Sequence, residues 1–575
     1  MNQKVQLLFE KLYHLPVQMR FISILLKKLL NRKKKKLMIS QKNGFLNREE
    51  AIKQIQSQPK WDIIVIGGGA TGLGVAVDAA SRGYTTLLLE QSDFAKGTSS
   101  RSTKLVHGGV RYLAQGNIGL VYEALRERAI MLKNAPHVVK KQAFIIPCYS
   151  IWSKLKYLAG LKIYDWLSGR FSFGRSRFLS KKKMEQRMPQ LSAHGLVGGV
   201  EYFDGQFDDA RFAINLAQTC VENEGVVLNY FKVNRLLKKD GKIKGVVAFD
   251  VETNCEYQLQ SKVVINATGV FVDDILHLDT PESKPIVQSS QGVHLVFDKS
   301  FLNSSSAVMI PKTADGRVLF AVPWHDHVLV GTTDTPLDKH TLEPIALEEE
   351  LSFILKTIKQ YFSTTINRKD VLSVFAGLRP LAAPQKETES TKEIPRDHKL
   401  MVSPSGLITI TGGKWTTYRK MAEVTVNKAI DISGLKKTLC KTKRLPIHGS
   451  GRKAGTDDYN FSIYGSDYAG ILALMKENPS LNNKIVDGFP YIQAEVIWAV
   501  RNEMARTIED VLARRLRLLF LNARAAVLAA PEVADLMARE LGKNEEWKYS
   551  QLESFYSLCK NYLPDTFQKK VAINH

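Results

Sequence analysis

The apolar positions of this 575-residue chain change their period sharply after Trp61. Asp62 to Ile66 is a short run, apolar and β-branched after its first residue, long enough for a buried strand and too short for a helix. Val75, Ala76, Ala79 and Ala80 then recur at helical spacing up to Gly83, a residue suited to end a helix. Tyr84 to Leu89 reads as a second strand, closed by Glu90. Between the first strand and the helix, Gly67, Gly69 and Gly72 spell G-x-G-x-x-G. The first glycine permits a tight turn, the second a close approach of phosphate, and the third close packing of helix on strand. The helix start presents free N–H groups to a phosphate. Glu90 stands 18 residues past Gly72, where an acid can bind both hydroxyls of an adenosine ribose. A carboxylate there would repel a 2′-phosphate, so the pattern favours FAD or NAD over NADP.

Downstream, the pattern predicts a helix over 118–134, a helix from Asp208 to Glu224 with two acids in its first turn, and a strand from Val226 to Tyr230. Two hairpins follow, around 238–242 and 252–256, and Val263 to Ile265 leads into NATG (266–269). Short strands recur from 286 to 334, which suggests an antiparallel sheet inserted between pieces of the nucleotide-binding domain. A helix is expected over about 345–362 and a strand over Leu372 to Pro380. Leu407 to Ile410 is a strand that runs into TGGKWTTYRK and a helix to about Ile430. Residues 431–456 read as a linker, and 457–575 as a separate helical domain with an arginine-dense amphipathic run at 493–528. The expected architecture is therefore α/β plus α. A doubly wound, Rossmann-like domain (59–430) carries an inserted antiparallel-sheet substrate domain (roughly 110–200 and 275–400), behind a basic extension over 1–58.

Composition is ordinary for a globular protein, at 44% hydrophobic and 24% charged residues, but the net charge is +24. That excess calls for an acidic partner: nucleic acid, anionic lipid or a phosphorylated substrate. Residues 1–36 hold ten Lys or Arg against one acid, and Ile22, Leu25, Leu26 and Leu29 share one helical face, the pattern of a basic helix lying on anionic lipid. Residues 151–190 mix aromatic and basic side chains; a membrane-facing surface is favoured over nucleic-acid binding, since no nucleic-acid motif accompanies them. No apolar run reaches the ~20 residues needed to cross a bilayer. The five cysteines are scattered, so neither a metal site nor a disulfide framework is expected.

The stretch 91–113 is rich in small and hydroxyl residues, with Thr98, Ser99 and Ser100 leading to Lys104, Leu105, His107 and Gly108, as suits backbone wrapped closely around a ligand. Seven segments now stand in order: the glycine unit, GTSSRSTKLVHGGVRYL, DDAR (208–211), NATG, VGTTD (330–334), GLRPL (377–381) and GGKWTTYRK (412–420). Together they resemble the FAD-dependent, respiratory glycerol-3-phosphate dehydrogenases over residues 61–430, and the helical tail with ARTIEDVLARR (505–515) resembles that family's C-terminal domain.

The resemblance implies a flavoprotein that oxidises sn-glycerol 3-phosphate to dihydroxyacetone phosphate by hydride transfer from C2 to FAD, with membrane quinone as the next acceptor. An oxidase using oxygen is the alternative. It places Gly67, Gly69, Gly72, Glu90, Thr98, Ser99, Ser100, Lys104, Leu105, His107, Gly108, Ala267, Gly269, Gly413, Lys414 and Thr416 at the cofactor. Arg111, Tyr112, Arg379, Arg396 and Lys414 are expected at the substrate, since a phosphomonoester dianion needs several directed cationic donors. His294 is the expected general base, with Arg379 and Lys414 assisting. The family often has Ser before this histidine, whereas this chain has Val293. The expected setting is peripheral, on the cytoplasmic face of a bacterial inner membrane, with the mitochondrial inner membrane as the alternative; a homodimer is left open.

Overall fold

In the computed structural model, the described residues are 44–564 without 115, 312, 314, 315, 365, 383–397 and 452–458. The basic helix expected near residue 25 and Arg396 lie outside them. The chain divides into two units, Met1–Phe45 and Leu46–His575, and every element below belongs to the second.

The first sheet is built around the strand Lys60–Ile66, whose Ile63, Ile64 and Val65 are fully buried. Each such side chain contributes about 1.5–3 kcal/mol by leaving water. The strand pairs in parallel with Glu256–Asn266 on one side and Thr86–Leu89 on the other; Ile408–Gly412 and Val226–Leu228 extend the parallel run outward. The hairpin Phe231–Lys239 and Lys242–Asp250 joins through the antiparallel pairing of Lys242–Asp250 with Glu256–Asn266. The helix Ala70–Arg82 packs on the strand Lys60–Ile66 and ends on Gly83 in the left-handed region at φ 94°.

The second sheet has ten strands, antiparallel except where Ala307–Ile310 runs parallel to Val139–Cys148. Its centre is the long strand Val287–Asp298, paired along its length with Ser373–Ala382 and also with His327–Gly331. This is the inserted sheet that the recurrent short strands foretold.

Two stretches differ from the sequence reading. Residues 48–57, counted with the N-terminal extension, form a helix that buries Ala51 and Ile55 and sends Arg48 into a buried pair with Asp250. The arginine-dense run at 493–528 is not one amphipathic helix. It breaks after Asn502, makes a π-helical turn over Asp510–Arg515, and places Arg517 in the left-handed region at φ 68°. The break turns Arg514, Arg515 and Arg517 inward, where all three are fully buried against carboxylates. An apolar-period argument reads arginine as a solvent marker and cannot see an acid waiting in another part of the chain.

Candidate active site

The C-terminal ends of the central parallel strands converge on a cavity of about 790 Å³. Among residues expected at the cofactor, Gly67, Gly69, Glu90, Thr98, Ser99, Ala267, Gly269, Gly413 and Lys414 line it. This is the switch point of the sheet, where adjacent strands send their chains to opposite sides and leave a crevice.

The glycine turn is shaped by close backbone approaches. Gly67 has φ 109°, and a Cβ there would lie 2.7 Å from the Ala267 carbonyl oxygen. A Cβ on Gly72 would lie 1.9 Å from the Gly67 carbonyl oxygen, so Gly72 stands behind the cavity wall and lets the helix sit on the turn. Glu90 accepts the Gly68 N–H at 2.6 Å and the Ser92 N–H at 2.9 Å. Burial raises its pKa, opposed by those two donors. Ser99 Oγ accepts the Ala70 N–H at 2.8 Å, and its carbonyl accepts Trp415 Nε1–H at 2.9 Å. One serine thereby ties the first glycine turn to the second.

Other expected residues sit behind this lining. Thr416 Oγ1 accepts the His107 N–H at 3.2 Å, and Gly108 N–H is held by Tyr164 Oη at 3.0 Å. Lys104, expected beside the cofactor, instead turns into the protein. Its Nζ donates to Asp209 at 2.8 Å and to the Ser100 carbonyl at 2.6 Å. Burial pushes its pKa down to about 7 against the pull of Asp209, so an ammonium buried there needs that carboxylate.

On the substrate sheet, Ser290, Gly292 and His294 share a strand face. Arg379, paired with Ser290 across the sheet, lays its guanidinium over Gly292, where a Cβ would lie 2.2 Å from Nη2. Arg379 Nη2 donates to Thr332 Oγ1 and the Thr333 carbonyl, both at 3.0 Å. His294 is 2% exposed and stacks on Phe375. Burial first, then Lys104 and Arg379, hold its pKa well below the ordinary histidine value, so the ring is neutral. Lys414 Nζ stands 3.7 Å from the centroid of the Tyr112 ring. Arg111 lies in the short helix Val110–Ala114, its side chain outside those described.

Residues 62–419 match the family described as FAD dependent oxidoreductase, and residues 412–548 match the C-terminal domain of alpha-glycerophosphate oxidase. The mitochondrial glycerol-3-phosphate dehydrogenase of Homo sapiens is 40% identical over 88% of this chain and 74% of its own length. The chain belongs to the FAD-dependent glycerol-3-phosphate dehydrogenase family. A probable mitochondrial member from Dictyostelium discoideum is 41% identical over 87% of this chain and 84% of its own length. The solved structure of the Bacillus halodurans enzyme complexed with FAD is 31% identical, with a TM-score of 0.73 over 89% of this chain and 97% of that one.

The dehydrogenase cradle fits FAD on its own geometry. Gly69 caps the helix Ala70–Arg82 without a side chain, and the two glycine turns and the hydroxyls of Thr98 and Ser99 face one crevice. Gly67, Gly69 and the helix N-terminus would hold the pyrophosphate, Glu90 the ribose, and Gly413 and Lys414 the ring end.

Sequence reasoning missed several wall residues, including Phe231 to Asn234, Thr341, Leu342 and Pro380. Thr268 was within reach, since it lies inside NATG. Pro380 likewise lies inside GLRPL; the others come from an ordinary-looking strand and from a loop that carry no local signal. Asp209 was read as a helix-start acid and as part of DDAR, yet it gathers Lys104, Ser102 and Arg517 at one carboxylate.

Proposed function

We propose that this protein oxidises sn-glycerol 3-phosphate to dihydroxyacetone phosphate and hands the electrons to membrane quinone. The observation that carries the reading is the single cavity running from Gly67 and Gly69 to Lys414. It places a dinucleotide cradle and a cationic second glycine turn in one wall. FAD, when bound, supplies the two-electron acceptor. Lys414, Arg379, Arg111 and Arg396 are the proposed donors to the phosphate dianion, with Tyr112 as a hydroxyl donor. His294, neutral and buried, is the proposed base for the proton of the substrate's secondary hydroxyl.

A quinone acceptor is supported by an outward face on the helix Ile151–Ser168. Trp152 is 82% exposed and Trp166 79%, with Leu155, Ile163, Lys156 and Lys162 exposed between them. A helix showing tryptophans and lysines outward suits the boundary of an anionic membrane. No helix among the described residues is long and apolar enough to cross a membrane. The reading puts the protein peripherally on an inner membrane. The names of the mitochondrial relatives support the mitochondrial inner membrane.

The test is anaerobic addition of glycerol 3-phosphate to the FAD-loaded protein while following visible flavin absorbance. Bleaching by glycerol 3-phosphate, and not by glycerol or an amino acid, is the expected result. A yellow protein that stays yellow removes the substrate assignment. Mixing the reduced protein separately with oxygen and with a soluble quinone then decides the acceptor.

A further inference from the structure

With Val293 before His294, the adjacent residue offers the imidazole no hydroxyl. The fold supplies one from elsewhere: Thr103 Oγ1 lies 2.9 Å from His294 Nε2, across 191 residues of sequence. Among the described residues the other ring nitrogen, buried Nδ1, has no hydrogen-bond partner, so Thr103 provides the ring's hydrogen bond.

Stacking fixes the plane of the ring but not which way round it sits, since a half-turn about Cβ–Cγ keeps the plane and exchanges Nδ1 with Cδ2 and Nε2 with Cε1. Phe375 stacks on it at 4.8 Å between centroids and 14° between planes. Gly331 leaves room beside Cδ2, the carbon next to Nε2, where a Cβ would lie 2.4 Å away. Thr103 is itself held at both neighbours by one carboxylate. Ser102 Oγ donates to Asp209 at 2.6 Å and Lys104 Nζ donates to it at 2.8 Å. Four residues earlier, Ser99 lines the cofactor cavity, so the hydroxyl is carried on the segment that wraps the cofactor.

Resting on the reading of His294 as the base, we propose that Thr103 is its positioning residue, the hydroxyl that holds the Nε2 edge of the imidazole in the orientation from which the ring receives the proton of the substrate's secondary hydroxyl. In that step the ring proton stays on Nε2, which donates its hydrogen bond to Thr103 Oγ1, the substrate O–H bond breaks, and its proton ends on Nδ1. The titratable groups facing the ring are Lys104 and Arg379, and in their charged forms they oppose a second proton on it before substrate arrives. Lys104 is in turn balanced by Asp209 and opposed by Arg517.

The experiment compares Thr103→Val, Thr103→Ser and His294→Gln in the full FAD-loaded chain. It reads flavin content, glycerol 3-phosphate affinity, the single-turnover rate against pH, and the ring signals of isotope-labelled histidine by NMR. Thr103→Val is expected to keep flavin and substrate affinity, slow flavin reduction roughly 10- to 100-fold as a displaced reacting group does, move the acid limb of the pH profile and shift the His294 ring signals. Thr103→Ser is expected to restore most of the rate. A Thr103→Val protein with the wild-type rate and pH profile overturns the proposal. So does a Thr103→Ser protein as slow as Thr103→Val, because volume would then matter and the hydroxyl would not. If Thr103→Val loses flavin, Thr103→Ser and Thr103→Cys decide by the same rate and ring signals. His294→Gln at the wild-type rate removes the base assignment itself, whereas a slow His294→Gln beside a fast Thr103→Val removes only the role of Thr103.

Discussion

Asp93 and Arg515 stand 422 positions apart in the chain and meet in a two-point ion pair, 2.6 and 3.0 Å, with both side chains sealed from water. Arg514 joins the same carboxylate at 2.6 Å. Asp93 lies just ahead of the wall residues Lys96 to Ser99, so the C-terminal helical region is locked onto the cofactor loop.

Breaking that lock has a large expected cost. Asp93→Asn leaves two buried guanidinium groups short of charge, which costs about 3–5 kcal/mol. The two arginines hold the Asp93 carboxyl down at about 2, so the stability it adds is complete above the ordinary carboxyl value and is lost as pH falls toward 2. Urea unfolding of the wild type and Asp93→Asn at neutral pH and near pH 3 checks both parts. The gap between the two proteins should narrow in acid.

His448 carries the opposite sign. It is clasped by Glu222 at 2.7 Å and Asp467 at 2.9 Å, and these carboxylates outweigh burial and raise its pKa to about 9. Its stabilisation is therefore full below the ordinary histidine value and is lost as pH rises through about 9. The melting temperature of the wild type should fall by a few degrees between pH 7 and pH 10, and His448→Gln should flatten that dependence.

Gly72→Ala puts a methyl group against the Gly67 carbonyl oxygen, and backbone cannot swing aside as a side chain can. Overpacking of this kind costs about 1–3 kcal/mol and displaces the turn that faces the pyrophosphate. The purified variant should carry much less flavin, read as the ratio of visible to ultraviolet absorbance. A full flavin complement would refute the assigned role of the third glycine.

Lys414 lines the cavity without belonging to the buried core. Lys414→Ala should therefore leave the melting temperature unchanged while lowering turnover by about 10²–10³-fold, the usual loss on deleting one donor to developing charge. Unchanged turnover would separate this lysine from the chemistry.

Trp152→Asp with Trp166→Asp removes the apolar ends of the outward helix face. Sedimentation with anionic vesicles should fall sharply, while activity with a soluble dye acceptor stays at the wild-type level. Undiminished vesicle binding would move the membrane contact elsewhere.

Local pattern carried the cofactor side of the site well. Gly67, Gly69, Ala267, Gly269 and Gly413 all line the cavity; a Cβ at Gly67 would meet the Ala267 carbonyl, and Gly269 and Gly413 sit in the left-handed region at φ 65° and 72°, demands that are written locally. The substrate side was less legible. Arg379 could be picked from its motif, but nothing near it showed that its guanidinium lies over Gly292. Lys104 illustrates the limit most plainly, since its loop suggested a cofactor contact and Asp209 drew it inward.

The sequence by itself determined the strand–turn–helix unit, the inserted sheet, the family and the glycine-rich part of the cavity wall, because periodicity and glycine placement act over a few residues. Only the tertiary structure decided which charges cancel inside the protein and which hydroxyl meets His294. Asp93 with Arg515, Asp209 with Lys104, and Thr103 with His294 are pairs joined by packing, and the free energy that joins them depends on distance in space, which spacing along the chain does not encode.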